Sequence, residues 1–353
     1  MSLGRGTRWV LGGLLAALVL ATGCTDLGRP SPASDPSECD TYRFLQAHLD
    51  RYRVALARER SWLDQVDANP IVLRSHSLKG KKKLVELLDA YYRLWQIAPE
   101  GDRPALLQRV RQVAAITYGD AYHDMSSVDD TTFKQDSTSY LRAALLMDRM
   151  GLDTTRYREE IVKIHPRLDD HLKTRGPNQR RIFHWYYEHF GLKEPFPLAD
   201  ALKDGEIARR QVPERMSSLD IYLFTHEVFG PYEYGDRLDA DPFNQEEKTY
   251  LRSALEALIR RSLSRRDPDL VAELVTCARL LRFVSMPSYR EGLAYLLDSQ
   301  NPDGSWGNIP LARARLGEYG KQGILLHTTM VAVDALALSF HEPWYGPLFL
   351  SCR

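Results

Sequence analysis

The chain has 353 residues with 47 basic and 47 acidic side chains, so its formal charge is zero and no basic field argues for a nucleic-acid partner. Hydrophobic residue types make up 44% and charged ones 27%, a balance that supports a buried core and excludes a disordered chain. Four cysteines in this length exclude a disulfide-dense scaffold.

The first element in chain order reads as a secretory signal over residues 1–23. Arg5 and Arg8 are followed by the apolar run "WVLGGLLAALVLA", and "ATGC" places a small residue before Cys24. The apolar run is short for a membrane span, which needs about 20 residues. The junction resembles the bacterial lipobox, and the resemblance implies that Cys24 is diacylated and anchors the protein to a membrane. Thr25, rather than Asp, after the cysteine implies the outer membrane of the cell envelope, facing the periplasm. Residues 24–38 then read as the acylated cysteine and a flexible tether rich in Pro, Ser and Asp. Residues 39–353 show no second linker and read as one domain.

Helical periodicity dominates that domain, and no segment alternates convincingly as a strand. Helices are expected over 41–65, 82–97, 103–117, 135–151, 154–173, 178–191, 198–211, 217–229, 244–264, 268–285, 287–299 and 321–340. "SSLD" from Ser217 supplies a helix cap, Gly151, Gly191 and Gly230 sit at helix ends, and Pro104, Pro268 and Pro287 lie near starts. Odd-numbered helices are charged and amphipathic, whereas even-numbered ones are apolar and aromatic. A helix wetted on one side belongs outside and a mostly apolar one inside. Six outer–inner pairs give an all-α fold, an α/α toroid, with an open solenoid of hairpins as the competing arrangement.

One stretch favours the toroid. "GLAYLLDSQNPDGSWG" carries Gln300, Gly304 and Trp306 in a spacing that resembles the QW motif of terpenoid cyclases such as squalene–hopene cyclase. The resemblance implies a structural clasp between an outer helix and the following turn. The acid motif D-x-D-D of those cyclases is absent: "DDTT", "LDADP" and "RLDDH" do not match it, so the activity does not carry over.

His226, Cys277 and His327 lie on three successive inner helices, 51 and 50 residues apart, with a threonine beside each. Imidazole and thiolate are preferred zinc ligands, and three of them plus water describe an open site. A zinc ion on His226, Cys277 and His327 is therefore expected, against the plainer alternative of hydrogen-bonded core histidines and a small buried thiol. Protein prenyltransferases and lanthionine cyclases resemble this in holding zinc on inner-helix ends of a toroid, but the D-x-C pair of the first and the second cysteine of the other are missing. "DLVAELVTC" and "LLHTTMVAVDAL" are more similar to an uncharacterised bacterial helical toroid family with a His…Cys…His pattern, which brings no activity with it.

Cys39 and Cys352 stand at the two ends of the domain. A ring would bring them together, so they are a candidate disulfide in an oxidising compartment. Glu227 is a candidate fourth ligand or base, with a hydrogen-bonded side chain as its alternative. Glu273, one turn before Cys277, is a candidate partner for a ligand, and Asp269 reads as a helix cap. Tyr140, His184, Trp185 and Glu188 are candidates for lining a central cavity, or else packing. "KGKKK" at Lys79–Lys83 reads as a solvated helix start. Together these readings describe an exported lipoprotein whose toroid binds zinc and, if catalytic, uses the metal. The alternative is a non-catalytic envelope protein holding a peptide, glycan or lipid in an aromatic-lined cavity. No nucleophile triad or phosphate loop narrows the chemistry.

Overall fold

The computed structural model describes residues 36–66, 80–117, 119, 122–201 and 204–353. The expected signal, the expected lipidation site Cys24 and Lys79 lie outside the described residues. The fold is all-α, and no strand occurs among the described residues. Its long helices are α1 (Pro36–Gln65), α2 (Gly80–Ile97), α3 (Arg103–Ala115), α4 (Asp130–Arg149), α5 (Thr155–Leu172) and α6 (Pro177–Phe190). Two short helices follow, α7 (Leu198–Ala201) and α8 (Glu206–Arg209). The remainder are α9 (Ser218–Phe229), α10 (Gln245–Ser264), α11 (Pro268–Leu280), α12 (Pro287–Asp298), α13 (Ile309–Phe340) and α14 (Glu342–Tyr345).

Local chemistry starts and stops these helices. Ser217 and Asp220 exchange backbone and side-chain hydrogen bonds in a capping box at α9, and Asn244 and Glu247 do the same at α10. Gly191 closes α6 in the left-handed conformation at φ +66°. Several expected boundaries need correction, among them the following. The helix expected over 198–211 is two separate turns, α7 and α8. The tether ends sooner than residue 38, because α1 begins at Pro36. The final long helix begins at Ile309 rather than 321, with Asn308 accepting from the Leu311 N–H; Gly317, Gly320 and Gly323 masked its start in the sequence.

Six helices contact one another in a closed cycle: α2 packs on α4, α4 on α6, α6 on α9, α9 on α11, α11 on α13, and α13 returns to α2. The other helices lie over the joints. For example, α5 touches α4 and α6, α10 touches α11, and α12 touches both α11 and α13. These are the even-numbered apolar and odd-numbered amphipathic helices of the sequence. Gln322–Phe340 of α13 is long and apolar enough to cross a membrane, but 72% of its most apolar window is buried inside the fold.

The two ends of the described domain meet. Helix α1 packs against α12 and α13, and Cys39 is bonded to Cys352 with their Cα atoms 5.2 Å apart. The Gln300–Trp306 turn fastens the same seam. Gln300 Nε2 donates to the Ala55 carbonyl at 2.8 Å and to the Gly304 carbonyl at 3.0 Å. Trp306 is fully buried, and its indole N–H donates to the Leu296 carbonyl at 2.8 Å. Gly304 has φ +97° and passes so near α1 that a Cβ there would sit 2.3 Å from the Arg58 carbonyl oxygen.

Gly304→Ala should therefore destabilise the fold by about 2 kcal/mol or more through strain and collision. Gly101→Ala, where a Cβ meets nothing within 4 Å, should be near neutral; denaturant midpoints of both variants test the pair. A second prediction concerns Glu59, whose carboxyl oxygens are buried without a hydrogen-bond partner. Burial, reinforced by Asp64 and Asp334, holds its pKa well above 4.5. A carboxyl raised in the folded state binds its proton more tightly than in the unfolded chain, so it costs stability as pH rises above 4.5. Glu59→Gln should raise the melting midpoint at pH 7 and change it little at pH 4.

Candidate metal centre

Four neighbouring helices of the cycle supply the charged groups of the site. Helix α2 gives Lys82, Lys83 and Glu86; α9 gives Tyr222, Thr225 and His226; α11 gives Asp269 and Glu273; and α13 gives His327 and Thr328. Asp269 and Glu273 are four residues apart, which puts both carboxylates on one face of α11. His327 Nε2 lies 3.6 Å from Glu273 Oε1 and 3.8 Å from Asp269 Oδ1. The ligand atoms of Asp269, Glu273 and His327 all fall within 4.8 Å of one another.

The surroundings hold these side chains in place. The Thr225 hydroxyl donates to Glu273 Oε2 at 2.6 Å, and the Thr328 hydroxyl donates to Asp269 Oδ1 at 3.0 Å. On the other side of the imidazole, His327 Nδ1 is 3.3 Å from Glu86 Oε1, yet neither atom is aligned for a hydrogen bond and both are buried without a partner. The Glu86 and Glu273 side chains are 3% and 2% exposed, whereas Asp269 is 34% exposed. The site thus has a buried floor and a rim open to solvent.

The donor set fits a divalent metal ion. A hydrogen bond needs donor and acceptor within about 3.2 Å. Tetrahedral ligands with bonds of 2.0–2.2 Å stand about 3.4 Å apart. Separations of 3.6 and 3.8 Å are too long for the first and near the second. In the metal-free state the charges balance without an ion. Burial would lower the His327 pKa, but Glu273, Glu86 and Asp269 outweigh it and lift the pKa to about 10. Burial likewise opposes the Glu86 charge, and Lys83, His327 and Lys82 bring its pKa down to about 2. A bound metal would take the place of the imidazolium proton.

The expected ligand set His226, Cys277 and His327 is not the group whose donor atoms converge. Cys277 is wholly buried, and its thiol points 3.7 Å to the Thr225 carbonyl. Burial, with Glu273 nearby, pushes its pKa well up, so the sulfur stays a protonated thiol. His226 Nδ1 donates to the Tyr222 carbonyl at 2.8 Å, and its ring centroid lies 3.8 Å from that of Tyr222 with the planes tilted by 37°.

Glu227 is neither ligand nor base here: it accepts from the backbone N–H groups of Glu206 and Ile207 at 2.7 and 3.1 Å, tying α8 to α9. Asp269 is not the cap of α11; Asp267 is, accepting from Leu270 N–H at 3.2 Å. Tyr140 is fully buried, with its hydroxyl 2.6 Å from His123 Nδ1. His184, Trp185 and Glu188 do share a surface cavity of about 460 Å³ beside the Gly230–Pro231 turn. Glu86 escaped the sequence reading entirely.

The linked pH dependence has a definite sign. A histidine raised in the folded state contributes stability that is complete below its unfolded pKa of 6.5 and is lost as pH rises through about 10. The metal-free chain should therefore lose stability from pH 6.5 toward 10, and His327→Gln should flatten that slope in denaturant titrations.

Comparison with curated proteins and with solved structures gives no match. Residues 49–337, which run from α1 to near the end of α13 and include every residue of the candidate centre, match a domain of unknown function, DUF6895, and the chain belongs to that family.

Proposed function

We propose that this protein is a lipid-anchored component of the bacterial cell envelope whose helical ring, an α/α toroid, binds one divalent metal ion through Asp269, Glu273 and His327. The observation that carries the metal reading is the convergence of those three side chains beside Glu86, whose Oε1 is buried without a hydrogen bond while its Oε2 accepts from Lys83. The closed cycle of six helices supports the toroid, and the Cys39–Cys352 bond agrees with an oxidising compartment. The lipobox resemblance at Cys24 supports the anchor and the outer-membrane location.

Zinc remains the proposed ion. One imidazole and two carboxylates also suit manganese or iron(II), because no soft thiolate takes part. Three protein ligands with a solvent-reaching rim at Asp269 leave room for water or a substrate on the ion, which is the arrangement of catalytic rather than structural zinc. A second reading, a ligand-binding envelope protein, is favoured by the cavity beside His184, Trp185 and Glu188.

Elemental analysis after reconstitution with zinc tests the proposal. About one zinc per chain is expected in the unaltered protein and in Cys277→Ser, with less than a tenth of it in His327→Gln or Glu273→Gln. Loss in Cys277→Ser with retention in Glu273→Gln would restore the thiolate site. No zinc in any of them, and no manganese or iron, would remove the metal reading and leave His327 as a partly buried imidazolium.

A further inference from the structure

A cleft of about 1000 Å³, which shares no lining residue with the candidate centre, opens at the seam where the two ends of the described domain meet. Helix α1 packs on α12 and α13, and α3 packs on α2, so the two outer helices leave this joint of the ring uncovered. Its walls are apolar: Leu49, Leu56, Leu94, Ile97, Leu106 and Phe340. The volume is at the upper end of the 300–1,000 Å³ typical of small-molecule sites.

Its charged groups are accounted for with one exception. Arg53 pairs with Asp50, Arg353 pairs with Glu342, and Asp102 is exposed to solvent. Arg60 is half-buried on the cleft wall, and its guanidinium makes no hydrogen bond or ion pair among the described residues. The adjacent Glu59 feels its charge but makes no hydrogen bond to it, since both Glu59 oxygens are without a hydrogen-bond partner. The Tyr52 hydroxyl, also on the cleft, has no hydrogen-bond partner among the described residues either.

We infer that this cleft binds a single-chain amphiphile with an acidic head, a long-chain carboxylate. A guanidinium in apolar surroundings gains most from a carboxylate, which it can meet with two parallel N–H bonds. The apolar walls accept the chain. A peptide fits less well, because the walls are helices whose backbone groups are already bonded internally and offer no edge to an extended strand. The inference is independent of the metal centre.

Calorimetric titration with dodecanoate, and with dodecylammonium as a cation of matched length, tests it. The protein used is the chain without its first 33 residues, which retains the compact unit Ser34–Arg353 and both apolar clusters of the core. Dodecanoate should bind one to one and at least tenfold more tightly than dodecylammonium. Arg60→Gln should erase that preference, and Ala57→Trp, at an exposed position on the cleft wall, should block binding while circular dichroism stays unchanged. Equal binding of the two amphiphiles, a preference that survives Arg60→Gln, or no saturable binding of dodecanoate would overturn the inference.

Discussion

The packing of α13 against α2 is the contact on which the rest of the molecule depends. It joins the penultimate helix among the described residues to the second, closes the cycle of six, and brings Arg93 to Asp334 at 2.7 Å across 241 residues of sequence. His327 and Glu86 meet across the same interface. Without that closure the carboxylates of α11 would face an open groove, and water would screen them. Contacts so distant in sequence form only after much loop-closure entropy has been lost, so the interior of the ring is assembled late.

That interior is polar, unlike the usual core of a helical bundle. Lys82, Glu86, Asp89 and Arg93 form one stripe along α2, at the spacing of neighbours on a helix face. Each is answered from another helix or from the stripe itself: Glu86 faces His327, Asp89 accepts from Arg142, and Arg93 donates to Asp334 and to the Tyr234 carbonyl. Arg149 pairs with Glu233 and Asp236 in the turn after α9, where Glu233 and Tyr234 take left-handed conformations at φ 49° and 56°. Such pairs are no source of large net stability, since desolvation offsets most of the attraction. Their contribution is to fix which helix faces which, because a slip would leave a buried charge alone.

The same stripe explains what the sequence does and does not make legible. The alternation of apolar and amphipathic helices is a property of whole segments, so it survives small errors at boundaries and gives the helix order and the all-α class. The clasp at Gln300 and Trp306 is local and equally readable. The candidate centre is not local. A charged line on a helix normally marks its solvent face, so Glu86 looks like a wetted residue until the ring turns it inward. Equal spacing of His226, Cys277 and His327 predicts equal height on three helices but not equal rotation, and rotation decides which donors converge. Asp269 and Glu273 carried the usable signal, two acids one turn apart on an otherwise apolar helix beside a histidine-bearing one. Helix starts attract acids for ordinary capping reasons, and that hid the signal.

The bond between Cys39 and Cys352 has a consequence for how the molecule can be cut and rejoined. With the two Cα atoms 5.2 Å apart, the folded domain is a covalent circle in all but its backbone. A peptide link there would replace the sulfur bridge, and the chain could be opened elsewhere, since termini that lie together at a surface tolerate circular permutation. Any joint between an outer and an inner helix could then serve as a new beginning, and the order of helices around the ring would be unchanged. The identity of the first helix is thus a convention of the gene rather than a property of the fold.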